Sequence, residues 1–355
     1  MRRFLQTLRL LPCATMRPHF ITPQLDRVRA QLRAGQYAAA DMQMAALLPE
    51  SLEPLIEALA RERGAAALAD RWAQAAPHSR HAEVLAAHVH IWEAWVLRGE
   101  GYVRDIPPLR RKKFAEVMLR GQQRLLKIIE NDPGNALALA GLIHCSIVIG
   151  AGEESRLRWL NQAMDASPFH CPALIRFAQG TLERWGGEDN ERYSFANWIV
   201  ENAPAGSCAH VVVADTLFDD AFMASGEVED IRLLARCTGN AEDAEWLRRA
   251  LLKWLDATPD TLRQRVHDVM PAYDESFHSL CLERFALAAY FAGAREEARL
   301  LLTALRGRLQ AGEWENFIAP TPLWWYPFAS RTRGMRRVHD AVCRDLGLDP
   351  RAICA

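Results

Sequence analysis

Residues 130–204 read ENDPGNALALAGLIHCSIVIGAGEESRLRWLNQAMDASPFHCPALIRFAQGTLERWGGEDNERYSFANWIVENAP. The same kind of ending occurs three times in this stretch: ENDP closes at Pro133, DASP at Pro168 and ENAP at Pro204, so that successive prolines lie 35 and 36 residues apart. Two helical patterns and a short glycine-containing break lie between neighbouring prolines. Such spacing is typical of helix–turn–helix repeats of about 34 residues. The stretch therefore predicts an all-α chain of tetratricopeptide-like (TPR-like) helix pairs.

A second pattern supports helix pairs elsewhere in the chain. Glycine is followed five residues later by alanine at four places: Gly35 and Ala40, Gly64 and Ala69, Gly239 and Ala244, and Gly293 and Ala298. Glycine frees the backbone for a turn, and the small alanine lets two antiparallel helices approach closely. We expect these helix pairs to stack into a right-handed superhelix, an α-solenoid.

The organisation of the chain follows from this repeat. We predict a flexible N-terminal segment at 1–22 and a single helical-repeat domain at 23–355, because no linker or low-complexity segment divides it. The interval from Pro77 to Pro133 exceeds one repeat and indicates an insertion near residues 98–115. Residues 314–350, which are aromatic and then basic, are predicted to form a C-terminal cap.

Composition excludes several classes of function. The net charge is −1 and the pI about 6.8, so a nucleic-acid partner is not expected. No apolar run approaches the roughly 18 residues of a membrane span, and Arg9 interrupts the N-terminal apolar run, which argues against a signal peptide. Eight scattered cysteines without a CxxC pair indicate a reducing compartment, and we expect a cytoplasmic protein. Translation from Met1 and from Met16 are both compatible with the sequence.

Two short segments resemble a known protein family. RGEGYVRD (Arg98–Asp105), which follows Ala94 and Trp95, and RWGG (Arg184–Gly187) are similar to segments of the bacterial TPR-like proteins grouped as domain-of-unknown-function family 4034. RWGG is followed in such proteins by Ser and His, whereas Glu188 and Asp189 stand here. The resemblance implies a helical-repeat fold, and it implies no activity.

The long helix predicted before residue 99 carries the densest set of candidate binding residues. His81, His88, Trp92 and Trp95 follow one face and Arg98 ends it. One interpretation is a groove that receives a peptide or a cation; the other is a core stripe. His81 and His88 lack the spacing of a helical zinc site, so no metal is expected.

The loop after this helix leaves two interpretations open. Tyr102 and Arg104 give it aromatic and charged groups, so it is either a binding loop or a structural one in which Arg98 and Arg104 cap helix carbonyls. Its glycines match no nucleotide-binding pattern, and no cofactor is predicted.

Two further groups are candidates for contact with a partner. Asp215 and Asp219 belong to an acidic stretch that either receives a basic partner or is a solvated face. Aromatic and basic residues near the C-terminus form either a binding patch or a seal over the last repeat: Trp324, Trp325, Tyr326 and Arg331.

These observations favour a non-catalytic scaffold that binds a protein or peptide, and the acidic stretch suggests immunity to a bacterial toxin or a similar antagonist role. The alternative is an enzyme or small-molecule binder with a pocket at the helix and loop of residues 81–105. A closed cavity of a few hundred Å³ beside His88, Arg98, Tyr102 and Arg104 favours the alternative, whereas an open groove with exposed aromatic residues favours the scaffold.

Overall fold

The computed structural model describes residues 15–17, 23–99, 105–150, 152–270, 278–310, 314, 316–318 and 331–354. The all-α prediction is confirmed for these residues, which form helices connected by short turns and, in addition, one pair of three-residue strands. In chain order the helices are α1 (Pro23–Arg33), α2 (Tyr37–Ala45), α3 (Pro49–Ala60), α4 (Ala65–Ala75), α5 (Arg80–Arg98), α6 (Pro108–Asn131), α7 (Ala136–Ile149), α8 (Glu153–Ala166), α9 (Cys171–Gly180), α10 (Glu191–Asn202), α11 (Val211–Ser225), α12 (Ile231–Thr238), α13 (Ala241–Trp254), α14 (Leu262–Val269), α15 (His278–Ala292), α16 (Arg295–Leu305), α17 (Arg331–Asp345) and α18 (Pro350–Ile353).

The three prolines of the repeat follow helix ends. Helices α6, α8 and α10 stop at Asn131, Ala166 and Asn202, each two residues before Pro133, Pro168 or Pro204. Proline has no backbone N–H and disfavours helical geometry in the residue before it. Short polar side chains mark several helix starts. Ser79, for example, accepts a hydrogen bond from the Ala82 N–H at 3.1 Å and so caps α5.

The predicted glycine–alanine pairs divide into two kinds. Three of them combine a glycine at positive φ with a buried alanine: Gly35 with Ala40, Gly64 with Ala69, and Gly293 with Ala298. Gly239 differs, because its φ is −70° and Ala244 is only half-buried. A Cβ at Gly239 would lie 2.8 Å from the Ala235 carbonyl oxygen and 3.3 Å from the Gly293 nitrogen, so glycine is needed there for space.

The described residues group into two compact units, an N-terminal unit (Thr22–Phe195) and a C-terminal unit (Met1–Ile21 with Ala196–Ala355). The prediction of a single domain over 23–355 stays a prediction.

The N-terminal unit brings four helices together around its centre. Helix α3 packs on α5, α5 on α6 and α6 on α7; α7 in turn contacts α9, and α9 contacts α3. Faces of α3, α5, α7 and α9 therefore meet, although α3 and α9 are more than a hundred residues apart in the chain.

The C-terminal unit is built around α15, whose residues from Cys281 to Ala292 are buried except for the half-buried Arg284. A helix that is apolar on nearly all sides belongs in the middle of a core. Helices α11, α12, α13 and α16 pack against it. A parallel pair of short strands, β1 (Thr15–Arg17) and β2 (Arg308–Gln310), aligns Met16 with Leu309. Three residues of the segment predicted to be flexible, 1–22, are thus paired.

Parts of the predicted insertion and cap are described. Residues 105–107 and the first turns of α6 belong to the insertion near 98–115. In the predicted cap at 314–350, Trp314 is buried and donates a hydrogen bond from Nε1 to Glu283 Oε2 at 3.2 Å. Residues 100–104 and 319–330 lie outside the described residues.

Candidate functional site

Helix α5 positions four of the predicted site residues in the N-terminal unit. His88 is 3% exposed, whereas Trp92, Trp95 and Arg98 are half-buried. His81, near the start of the same helix, is bound elsewhere: its Nδ1 lies 2.8 Å from Asp41 Oδ1. The predicted face therefore separates into three environments, which are a buried charged cluster at His88, an aromatic cluster at Trp95 and an apolar groove at Trp92.

The charged cluster is an arginine clamped between two carboxylates of α3. Arg176 of α9 donates from Nε to Glu53 Oε1 at 3.2 Å, and its Nη2 pairs with Glu57 Oε1. Arg61 donates from Nη2 to the other oxygen of Glu57 at 3.3 Å. The Arg176 and Glu53 side chains are 19% and 6% exposed, so this bridge closes the unit by joining α3 to α9 largely out of water.

The two carboxylates of this cluster differ in their pKa. Burial raises the pKa of Glu53 to about 6, since Arg176 offsets the loss of hydration only in part and the charge of Glu57 adds to the rise. Burial also acts to raise the pKa of Glu57, but the guanidinium groups of Arg176 and Arg61 outweigh it and lower the value to about 2. Both carboxylates are therefore ionised at neutral pH, and Glu57 keeps its charge to a lower pH than Glu53 does.

Two imidazoles lie beside this charge cluster in their neutral form. Burial lowers the pKa of His88 to about 4, and burial together with Arg176 lowers the pKa of His144 well below its ordinary value. His88 Nε2 has no hydrogen-bond partner among the described residues. It faces Gly141 of α7, where a Cβ would lie 3.3 Å from His88 Nε2 and 2.8 Å from Leu125 Cδ1. Glycine at 141 thus makes room for the buried imidazole.

The aromatic cluster joins the two segments that carry the family resemblance. The Trp95 ring lies 5.6 Å from Phe114, 5.8 Å from His144 in a stacked arrangement, and 6.4 Å from Trp185 edge to face. The guanidinium of Arg98 lies over the Trp95 ring at 5.5 Å. Residues of the RGEGY and RWGG segments therefore meet around one tryptophan.

The two glycines of the RWGG segment have a structural role. Gly186 has a φ of 89° and closes a short 3-10 helix at Glu183–Trp185. A Cβ on Gly187 would lie 2.0 Å from the Thr181 carbonyl oxygen, so the backbone passes too closely for a side chain.

An open groove is lined in part by Trp92 of α5. It has a volume of about 470 Å³, and its described lining is mostly apolar. Arg61 stacks over the Trp92 ring at 4.8 Å, and Val96 and Leu97 expose 61% and 36% of their surface. The lining residues are Ala60, Glu62, Gly64, Ala65, Ala66, Val89, Trp92, Glu93, Val96, Leu97 and Val117.

The predicted acidic stretch is partly engaged inside the C-terminal unit. Asp215 forms an ion pair with Arg284 at 2.7 Å, with both side chains less than a quarter exposed. The same guanidinium lies over the Phe218 ring at 4.1 Å. Asp219 is half-buried one turn further along α11. The ion pair accounts structurally for Asp215, and a partner contact at Asp219 stays a prediction.

The remaining predicted site residues fall where the structure gives no side-chain description. Outside the described residues lie Tyr102, Arg104, Trp324, Trp325 and Tyr326. Arg331 begins α17, and its side chain is not described.

Sequence reasoning missed the clamp of Arg176. Its signal was present in part, because Glu53, Glu57 and Arg61 are spaced four residues apart and share one face of α3. The partner Arg176 comes from a helix 123 residues away from Glu53, and no local pattern indicates that contact.

A second polar cluster, also missed, is buried in the C-terminal unit. His339 Nδ1 lies 3.2 Å from Asp340 Oδ1, and His339 Nε2 lies 3.4 Å from Cys343 Sγ. This is the residue set of a thiol nucleophile, but Cys343 and His339 are both fully buried and burial raises the pKa of the thiol. The thiol therefore stays protonated and shielded, and the cluster is a packing feature.

Comparison with protein-family models, with curated proteins and with solved structures found no match to this chain. The resemblance to family 4034 therefore stays a prediction. Among the described residues, no helix combines the length and apolarity that crossing a bilayer requires. In the same part of the chain, no group of three or more His, Cys, Asp or Glu side chains is placed to hold a metal ion.

Proposed function

We propose that this chain is a non-catalytic helical-repeat scaffold that binds a protein or peptide partner. The observation that carries the proposal is the open apolar groove beside α5. Trp92, Val96 and Leu97 line it, and they leave apolar surface in contact with water. Amphipathic partner segments bind in grooves of this kind through a few apolar anchors.

The finer fold in this proposal is a TPR-like stack of helix pairs in a right-handed superhelix. Support comes from the regular spacing of helix ends before Pro133, Pro168 and Pro204 and from the packing of α5 to α8 in chain order. In such stacks the first helices of the pairs line one surface, which suits contact with an extended partner.

The chemistry of the buried groups supports a role without catalysis. Glu53 and Glu57 are held by Arg176, His88 is neutral and buried, and burial raises the pKa of the Cys145 thiol to about 12. These groups are either ion-paired or buried, whereas a catalytic group has to reach a substrate. The toxin-antagonist role is one form of such a scaffold. The acidic stretch is the sequence feature that suggests this role. Within that stretch, Asp215 already forms an ion pair with Arg284.

A second candidate function is a small-molecule site at the charged cluster. It draws support from the unpartnered Nε2 of His88, because shifted pKa values and unpaired buried groups concentrate at functional sites. We favour the groove over the charged cluster as the binding site, because a ligand can reach the groove without first breaking ion pairs.

The test of the scaffold proposal begins with capture of a partner by the purified chain and its identification by mass spectrometry. The affinity of the chain for that partner is then measured. Full burial of one aliphatic side chain contributes roughly 1.5–3 kcal/mol, so Val96→Asp should weaken binding by about tenfold or more. Leu157→Asp is the matched control, because Leu157 is 45% exposed on α8 and does not line the groove. Equal loss in both variants, or turnover of a ligand that His88→Ala abolishes, would contradict the proposal.

A further inference from the structure

The first turns of α6 carry a group of exposed positive charges. Arg110, Arg111, Lys112 and Lys113 are consecutive and all exposed. The first turn of α6 contains no acidic residue, and its N-cap position, Pro107, makes no side-chain capping bond. Cations near a helix N-terminus are unfavourable because the helix dipole is positive there. A stretch that costs stability in the free protein suggests a ligand of opposite charge.

Few partners for these charges lie in the described part of the chain. Lys112 is 3.9 Å from Glu116, on the same helix and half exposed. Arg110, Arg111 and Lys113 form no ion pair with the described residues. Within the described residues, the charges of Arg110, Arg111 and Lys113 are therefore not neutralised by a carboxylate.

The packing of α5 against α6 places these charges at one end of the groove. Gly121 of α6 lies against Ile91 in the middle of α5, where a Cβ would be 3.0 Å from Ile91 Cγ1. Near the start of α6, Arg110 Nη1 would lie 3.6 Å from a Cβ on Gly99, just past the end of α5. The two helices are thus antiparallel, and the basic start of α6 lies level with the end of α5.

One stripe of α6 connects the groove to the charges. Val117 lines the groove, and Lys113 and Arg110 precede it by four and seven residues, so the three side chains follow one helix face. On α5, Leu97 lies at the same end of the groove. Two carboxylates also line the groove: Glu62, which is neutralised by Arg29 and Arg33, and Glu93 of α5.

We propose that the groove receives a flexible segment whose apolar residues contact Trp92, Val96 and Val117 and whose adjacent Asp or Glu residues bind Arg110 and Lys113. This inference rests on the proposed scaffold function and specifies the chemistry of the partner. Charge favours one direction of the segment, since its acidic end is attracted to the exposed cations at the start of α6.

The arrangement of the cations favours a peptide over a membrane or a nucleic-acid duplex. Successive helical residues point about 100° apart, so four consecutive exposed cations surround the start of α6 on all sides. A bilayer or a rigid duplex contacts one side of a helix. A flexible acidic segment reaches several sides at once.

The test is selection of short random peptides displayed on phage against the full chain, followed by affinity measurement for the enriched peptides. We expect sequences with an apolar cluster next to Asp or Glu. Their affinity should fall at least about tenfold in Arg110→Glu/Lys113→Glu and with rising salt. Lys127→Glu is the matched control, because it reverses an exposed cation further along α6.

The outcomes separate this inference from the function on which it rests. Enriched peptides that need Val96 but lack acidic residues, or that bind Arg110→Glu/Lys113→Glu as well as Lys127→Glu, overturn the inference and leave the scaffold standing. Failure to enrich any peptide that depends on Val96 argues against both. Sedimentation with phosphatidylserine vesicles that Arg110→Glu/Lys113→Glu abolishes would assign the cations to lipid and also overturn the inference.

Discussion

Replacing Arg176 by Met tests the account of the charged cluster, because the change keeps much of the side-chain volume and removes the cation. The clamp joins α3 to α9 and leaves the Glu53 carboxylate almost fully out of water. Without Arg176 two neighbouring carboxylates remain at the centre of the N-terminal unit. The variant should therefore be strongly destabilised at neutral pH.

The size of the destabilisation is indicated by the pKa of Glu57, which is about 2 in the folded state instead of the ordinary 4.5. Burial alone would raise this pKa, but the positive charge of Arg176, with that of Arg61, lowers it by more. Each unit of pKa corresponds to about 1.4 kcal/mol, so the surroundings together favour the ionised form of Glu57 by roughly 3 kcal/mol, although burial opposes it. Removal of one partner of a buried ion pair costs roughly 3–5 kcal/mol, and that is the loss of stability expected for Arg176→Met. Arg158→Met, at an exposed position on α8, should change stability by less than about 0.5 kcal/mol.

The assay is urea denaturation followed by circular dichroism, for Arg176→Met, Arg158→Met and the triple variant Glu53→Gln/Glu57→Gln/Arg176→Met. Neutral amides at 53 and 57 remove the buried negative charges, so the triple variant should recover most of the lost stability. The reasoning is refuted if Arg176→Met is as stable as Arg158→Met. It is also refuted if the two amides restore nothing, because the loss would then come from packing alone.

Three other changes have defined outcomes. The folded-state pKa of His88 lies at about 4, below its ordinary 6.5. The neutral imidazole therefore stabilises the fold above pH 6.5, and up to roughly 3 kcal/mol of this stability is lost as the pH falls towards 4. His88→Leu should make the urea midpoint depend less on pH, and an unchanged dependence would contradict the assignment. Gly141→Ala should lower the free energy of unfolding by about 1–3 kcal/mol, because its methyl group would lie 2.8 Å from Leu125 Cδ1. An unchanged unfolding temperature in calorimetry would contradict this expectation and show that the neighbouring side chains rearrange without cost. Cys343 should resist alkylation in the native protein while the exposed Cys237 reacts, and peptide mapping with equal labelling would show that the His339–Cys343 cluster is accessible.

The sequence predicts the helices well because their signals are local. Proline ends a helix through its own geometry, so helix ends before Pro133, Pro168 and Pro204 are visible without any tertiary information. Three glycine turns followed by buried alanines are visible for the same reason. Gly239 shows the limit of such local reasoning, because a Cβ there would approach the Ala235 carbonyl oxygen and also the backbone of Phe291 and Gly293, more than fifty residues away.

The candidate site was predictable only in part. Periodicity along α5 identified His88, Trp92 and Trp95 as neighbours on one face. It did not separate the charged cluster, the aromatic cluster and the groove, because those are formed by α3, α6, α7 and α9. The exposure of Val96 and Leu97 could not be predicted for a related reason. Apolar residues in a helix ordinarily indicate a buried face, and only the packing of the neighbouring helices shows that these two side chains contact solvent.

The function proposed for this chain depends on partner binding in the groove beside α5. The most direct measurement is photo-cross-linking in the source cells with a benzophenone amino acid placed at position 96, compared with the same group at position 157 on α8. If the partner binds in the groove, position 96 should give a discrete cross-linked protein that is absent from position 157. The same products from both positions, or none from position 96 in folded protein, would contradict it.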